Sequence, residues 1–285
     1  MGGAYLLWIS ILSVIELYFD FSGYVDIATG ISQMFGISLS KNFNHPFFSR
    51  SAAEFWRRWH ITLGEWFKDY VYMPLSTNAT LIKISGKIRK KYGMRQAKSF
   101  LTIVPLLVVW VITGLWHGTG LNYIVWGLYW GVLIIVSNVF APEIRKINNK
   151  LHIKKDNRAW IVVQVIRTCI VYLIARIISS WSTLGDSFRV FKSILFDFNA
   201  VKAIEVLRSM SVEDKFNIII IFVSVLLTFA VSLYEEKKGS VRKLIARFWC
   251  IPRWIVYSLM VLVTLYFGIY GTSDALSGTF AYTHF

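Results

Sequence analysis

The feature that most restricts what this chain can fold into is the recurrence of long apolar windows, at about 4–19, 101–116, 121–141, 159–181, 216–234 and 254–270. Roughly 20 apolar residues cross the hydrocarbon core as a helix, because lipid offers no partner to an exposed backbone N–H or C=O. Windows of this kind recurring through 285 residues predict an all-α integral membrane protein with several spans. Charge supports this: 16% of residues are charged, against about a quarter in an ordinary soluble domain. No internal repeat or soluble linker divides the chain, so residues 1–285 are expected to form one membrane-embedded unit. MGGAYLLWIS lacks the basic stretch that opens a cleavable signal peptide and runs straight into an apolar helix.

A net charge of +15 could point to nucleic acid, but its distribution argues otherwise. Seven cations and no acid fall between Lys83 and Lys98. A second basic block runs from Glu143 to Arg158, and a third from Lys237 to Arg253. All three lie between apolar windows, where the positive-inside rule places cytoplasmic loops facing anionic lipid. With these blocks inside, 101–116 runs outward and 121–141 returns. Residues 182–215, with five cations and five acids, then read as an external loop.

Residues 20–82 do not read as a simple span. Within them, SAAEFWRRWHITLGEWFKDYVYMPL opens on a capping signal, with Ser51 as N-cap and Glu54 at the third helical position. Glu54 also precedes Arg58 by four residues, a favourable helical pair. Broad aromatic faces carrying arginines suit an interfacial amphipathic helix, or a re-entrant segment packed inside protein.

The candidate chemistry is histidine. His152 lies among lysines and His284 is penultimate, so both are expected in solvent, and His45 in NFNHPFF reads as a loop residue. His60 and His117 sit in apolar, aromatic surroundings. A neutral imidazole takes up a proton near pH 7, and ionisable groups at membrane depth are costly enough to signal function. The bland alternative is a histidine that only orders a turn. In TGLWHGTGLNY the glycines Gly114, Gly118 and Gly120 could let an acyl chain approach the backbone, or could merely allow a turn and close helix packing. Glu16 and Asp20 are four apart and Asp26 follows. Their expected partners are Arg50, Arg57, Arg58, Arg167 and Arg176, in a structural ion-pair network rather than a proton relay. Cys169 and Cys250 have no ligand or disulfide spacing, so no metal is expected. Motifs for metal hydrolysis, nucleotide hydrolysis and serine triads are absent from the sequence.

Two stretches together, YFDFSGYVDIATGISQMFGISLSKNFNHPFFSRSAAEFWRRWHITLGEWFKDYVYMPL and GLWHGTGLNYIVWGLYWG, resemble the membrane-bound O-acyltransferase family. The likeness is greatest to its alginate and polysaccharide O-acetylation branch, with the D-alanyl transfer proteins of teichoic acid synthesis as near relatives. The ending GTFAYTHF resembles that branch as well. The resemblance implies a helical ring around a thinned centre, where a tunnel joins a cytoplasmic donor to an external acceptor. It places the family's near-invariant histidine on His117 and its second histidine on His60. Trp116, Gly118, Asp20, Asn44 and Arg58 fall in the same motifs as tunnel or support residues. It also implies an acyl thioester such as acetyl-CoA as co-substrate, with no bound cofactor. Implied partners are a cell-envelope polysaccharide acceptor, membrane lipid and an extracytoplasmic hydrolase-like acetyltransferase, with no nucleic acid. Localisation follows as the cell (inner) membrane. Relative to that pattern, the chain resembles the family's C-terminal half to two-thirds and is expected to be N-terminally incomplete. A transporter lined by Glu16, Asp20, Arg167 and Arg176, or a nonenzymatic fragment, are the readings from other classes.

Overall fold

The computed structural model describes residues 2–154 and 156–267. The chain forms two compact units, Met1–Ala203 and Ile204–His284. In the first, α1 (Gly3–Met34) leads through an extended segment to a 3-10 turn (Pro46–Phe48), then to two short helices, α2 (Ala52–Arg58) and α3 (Ile61–Phe67). A π-helical turn (Lys68–Tyr72) runs into α4 (Met73–Ser76). Next come α5 (Ala79–Tyr92), α6 (Met94–His117), α7 (Leu121–Val139), α8 (Ala141–Lys150), α9 (Arg158–Ser180) and α10 (Leu184–Phe196). The boundary between units falls inside α11 (Ala200–Ser209). The second unit holds α12 (Val212–Lys238), α13 (Val241–Ile245) and α14 (Cys250–Phe267). All regular structure among the described residues is helical, and α1, α6, α7, α9 and α12 are long and apolar enough to span a bilayer. The protein is an integral membrane protein.

Three expectations need correction. The first window was set at 4–19, yet α1 continues through Asp20 and Asp26 to Met34. Polar residues end an apolar window without ending a helix: Ser22, Thr29 and Ser32 donate their hydroxyls to carbonyls one turn back, at 2.6, 2.7 and 2.8 Å. The helix stops only before Gly36, whose φ is +74°. Residues 182–215, read as a loop, carry α10, α11 and the start of α12. Thr183 caps α10 by accepting the Asp186 N–H at 3.2 Å, and Ser211 with Asp214 forms a capping box on α12. The expected ending GTFAYTHF, His284 and the tail of the last apolar window lie outside the described residues.

The third correction concerns the helix expected from Ser51 onward. Ser51 does cap it, accepting the Glu54 N–H at 3.2 Å, and Glu54 pairs with Arg58 at 2.9 Å. The Glu54 carboxylate reaches back to the Arg50 N–H, not to that of Ser51. The helix then breaks after two turns. Trp59 is extended, and His60 takes a left-handed conformation, φ 47° and ψ 53°, before α3 begins. The break is tertiary in origin. Asn44 N–H donates to the Arg58 carbonyl at 2.9 Å, and Ile61 N–H donates to the Asn42 carbonyl at 3.0 Å. The extended 42–44 strand of chain thereby takes up the backbone groups that an uninterrupted helix would have paired.

The core of the first unit is aromatic and centred on α2. Phe55 stacks on Trp59 at 5.6 Å and on Trp130 of α7 at 5.9 Å. Phe55 and Trp130 are 1% and 0% exposed. Trp56 meets Trp110 of α6 and Trp130 edge-on at 5.1 and 5.2 Å, and Tyr172 of α9 closes against Phe55 at 4.6 Å. α2 thus packs one aromatic face, through Phe55 and Trp56, against α6, α7 and α9. A second cluster joins α1, α9 and α10 through Leu6, Ile177 and Val190.

Small residues set the hairpin of α6 and α7. A methyl group on Gly114 would lie 2.6 Å from the Tyr123 carbonyl oxygen, and one on Gly127 would run into the carbonyl of Trp110. The two helices therefore approach backbone to backbone, as small residues permit in lipid. At the far end of the hairpin, Arg95 pairs with Glu143 of α8. That contact brings the first two basic blocks together at one end, with His117 at the other. By its 1.5 Å rise per residue, α6 separates them by roughly 35 Å.

Candidate active site

The site is assembled where three elements meet. His117 is the last residue of α6, released from the helix by Gly118 at φ 157°. Its ring lies 4.6 Å from Trp126 of α7 and 4.8 Å from Trp116, centroid to centroid. His60, in the break between α2 and α3, meets the buried Phe21 of α1 edge-on at 4.8 Å and lies 6.2 Å from Trp116. The two imidazoles, 57 positions apart in sequence, thus flank one indole. Phe21 and Trp126 are buried against the two imidazoles, whereas the shared indole of Trp116 is 43% exposed.

His60 lies outside the spanning helices, and burial pushes its imidazole down from 6.5 to about 4. It is neutral at physiological pH. Its Nδ1 is 3.2 Å from Asn42 Oδ1. The same oxygen accepts the Thr62 N–H at 3.2 Å and the Thr62 hydroxyl at 2.7 Å.

The other expected residues are placed as follows. Trp116 and Gly118 belong to the centre itself. Arg58 and Asn44 support it from one side: the Arg58 guanidinium is held by Glu54, and Asn44 ties the end of α2 through its backbone while its side chain accepts from Lys41 at 3.0 Å. Asp20 is half-buried on α1, one residue from Phe21. Glu16 is exposed and makes no ion pair among the described residues. Of its expected partners, Arg167 instead donates to the Arg50 carbonyl at 2.7 Å. Asn42, Thr62, Phe21 and Trp126 were not singled out in the sequence. Asn42 lies two residues before Asn44 in the NFN stretch, but its role rests on contacts 18 and 20 positions away, which no local pattern reveals. Beside the centre, a cavity of about 490 Å³ opens between α2, α3, α6 and α7, walled by Trp56, Trp110, Leu106 and Thr113, with Arg57 and Lys68 among its lining residues.

The described residues thus define an all-helical membrane protein with two imidazoles set among aromatic rings. Comparison with known proteins gives that class a family. Residues 4–84 match the membrane-bound O-acyltransferase family. The chain is 39% identical over 140 residues to the peptidoglycan O-acetyltransferase of Helicobacter pylori, a match covering 49% of this chain and 23% of that protein. It is 36% identical over 135 residues to the "Probable alginate O-acetylase AlgI" of Pseudomonas aeruginosa, covering 47% and 23%. Against the teichoic acid D-alanyltransferase of Bacillus subtilis it is 33% identical over 152 residues, covering 53% and 35%. The chain spans about a quarter of the length of the first two of these relatives.

Proposed function

We propose that the chain supplies the histidine centre of a cell-membrane acyltransferase. It moves an acyl group, acetyl in the simplest case, from a cytoplasmic thioester such as acetyl-CoA to a hydroxyl of a cell-envelope polysaccharide. The observation that carries this reading is the convergence of His60 and His117 on Trp116, in a chain whose relatives include wall and exopolysaccharide O-acetyltransferases.

The chemistry follows from the groups present. A hydroxyl is a weak nucleophile until its proton is removed, and His117 is the base that takes it. The oxygen then bonds to the thioester carbonyl carbon, the carbon–sulfur bond breaks, and the thiolate leaves and is protonated. The aromatic walls limit competing hydrolysis by excluding water. The same step could load a hydroxyl on an extracytoplasmic hydrolase-like partner, which then passes the acyl group to the sugar.

The test is the ester content of the cell-surface polymer in cells carrying the original protein or His117→Ala at equal membrane abundance. Loss of a base predicts a fall in O-acetyl ester of about a hundredfold or more. Unchanged ester would overturn the role of His117. Assaying D-alanyl ester in the same extracts separates the two acyl groups: His117-dependent D-alanine in place of acetate assigns the chain to teichoic acid modification, the activity that names the Bacillus subtilis relative.

A further inference from the structure

The left-handed His60 occupies the N-cap position of α3, where Ser, Thr, Asp or Asn would normally accept an N–H of the first turn. Its side chain makes no such bond. Asn42 does so from another part of the chain, through the Oδ1 that accepts the Thr62 N–H. A backbone N–H can only donate, so the amide must present its oxygen here rather than its nitrogen. The consequence passes to His60. An oxygen has nothing to donate, so the His60 Nδ1 lying 3.2 Å away must carry the proton.

We propose that Asn42 is a positioning residue that fixes His60 as its Nδ1–H tautomer, which makes Nε2 the acceptor nitrogen of a neutral ring. This rests on the acyl-transfer reading for its purpose, but not for its structure. It decides between two roles for His60. A neutral imidazole held this way cannot polarise a thioester carbonyl through Nε2, since that task needs a donor. It can accept a hydrogen bond at Nε2 and so hold a neighbouring donor in line for the base His117. A tautomer fixed by a partner on the far nitrogen is the arrangement that equips histidines for base chemistry in general. The burial of His60 keeps it neutral at pH 7, as the assignment requires. Around it, Phe21 of α1 is apolar, Thr62 of α3 is uncharged, Glu54 and Arg58 of α2 pair with each other, and the titratable His117 of α6 lies against the same Trp116.

The test is ¹⁵N NMR of the full chain with labelled histidine in lipid nanodiscs, comparing the original protein with Asn42→Ala and with His60→Gln to assign the signal. The expected result is a protonated Nδ1 and a bare Nε2 at His60 in the original, with the proton moving to Nε2 in Asn42→Ala. Turnover in the same variant is expected to fall about a hundredfold with KM little changed. A proton on Nε2 in the original, or an unaltered tautomer in Asn42→Ala, overturns the proposal, since an amide that merely caps α3 would leave the ring nitrogens alone. If Asn42→Ala does not fold, Asn42→Asp decides, because a carboxylate can still accept from the Thr62 N–H, the Thr62 hydroxyl and His60 Nδ1. There Nδ1 stays protonated and the imidazolium persists to higher pH than in the original; an unmoved titration counts against the proposal. Absence of acyl transfer in the original protein would remove the functional reading while leaving the tautomer measurement intact.

Discussion

Gly118 leaves α6 with φ 157° and ψ 164°, a region that side chains avoid. A methyl group there would stand 2.6 Å from the Tyr123 ring. Gly118→Ala is therefore expected to lower stability by about 1–3 kcal/mol and to shift His117 against Trp126. Both effects are measurable as a lower Tm in detergent and reduced ester formation at equal abundance. The sequence showed that glycines surround His117 but left open whether they admit substrate or serve the backbone. For Gly114 and Gly118 the distances favour the backbone: one lets α7 approach and the other turns the chain. Nothing in the order of residues could separate these uses, because both ask only for a missing side chain. The histidines were legible for the opposite reason. An imidazole among tryptophans and leucines has a desolvation cost that composition alone exposes.

The junction of α2 and α3 is the element whose form the sequence concealed. Its start was readable in Ser51, a cap worth about 1 kcal/mol, and in the Glu54–Arg58 spacing. Its break was not, because the partners that take over its backbone groups lie in the 42–44 segment. The length of α1 was hidden differently: its hydroxyls satisfy themselves inside the helix while interrupting the hydropathy that marks a span. A buried neutral histidine at the junction makes a pH prediction. The folded value of His60 is depressed to about 4 from 6.5, so its contribution to stability is present above pH 6.5 and is lost as pH falls through that window. The Tm of the original protein should therefore drop more steeply between pH 6.5 and 4 than that of His60→Gln. Equal slopes would mean that the ring is hydrated in the folded protein. The α2 helix, a wedge of aromatic side chains between α6, α7 and α9, is held by packing. Replacing Phe55, stacked between Trp59 and Trp130, by alanine is expected to cost about 3 kcal/mol by leaving a ring-sized cavity, readable in the same melts.

For the whole molecule, the apolar windows matched α7 and α9 to within two residues and the end of α6 to within one, but missed the first seven residues of α6, whose polar start carries Arg95 and Lys98. What they could not give is which ends meet. The Arg95–Glu143 contact gathers α5, α6, α7 and α8 at one end of the hairpin and leaves His117 at the other. With Cys169 and Cys250 changed to serine, single cysteines at Lys90 and Thr119 should react with an impermeant thiol reagent from opposite sides of the membrane. Labelling of both from the same side would contradict this arrangement. In the second unit, no residue of α12 is fully buried within the protein.

The wedge has an optical consequence. Trp56, Trp110, Trp126 and Trp130 have ring centroids between 5.1 and 6.4 Å apart in all but one of their pairings. At such spacings indoles exchange excitation faster than they emit, so light absorbed by one is shared among the group. Trp126 also touches His117. The tryptophans therefore form a built-in antenna whose emission is coupled to the His117 ring, and a ligand arriving there is expected to change the protein's own fluorescence without any attached dye.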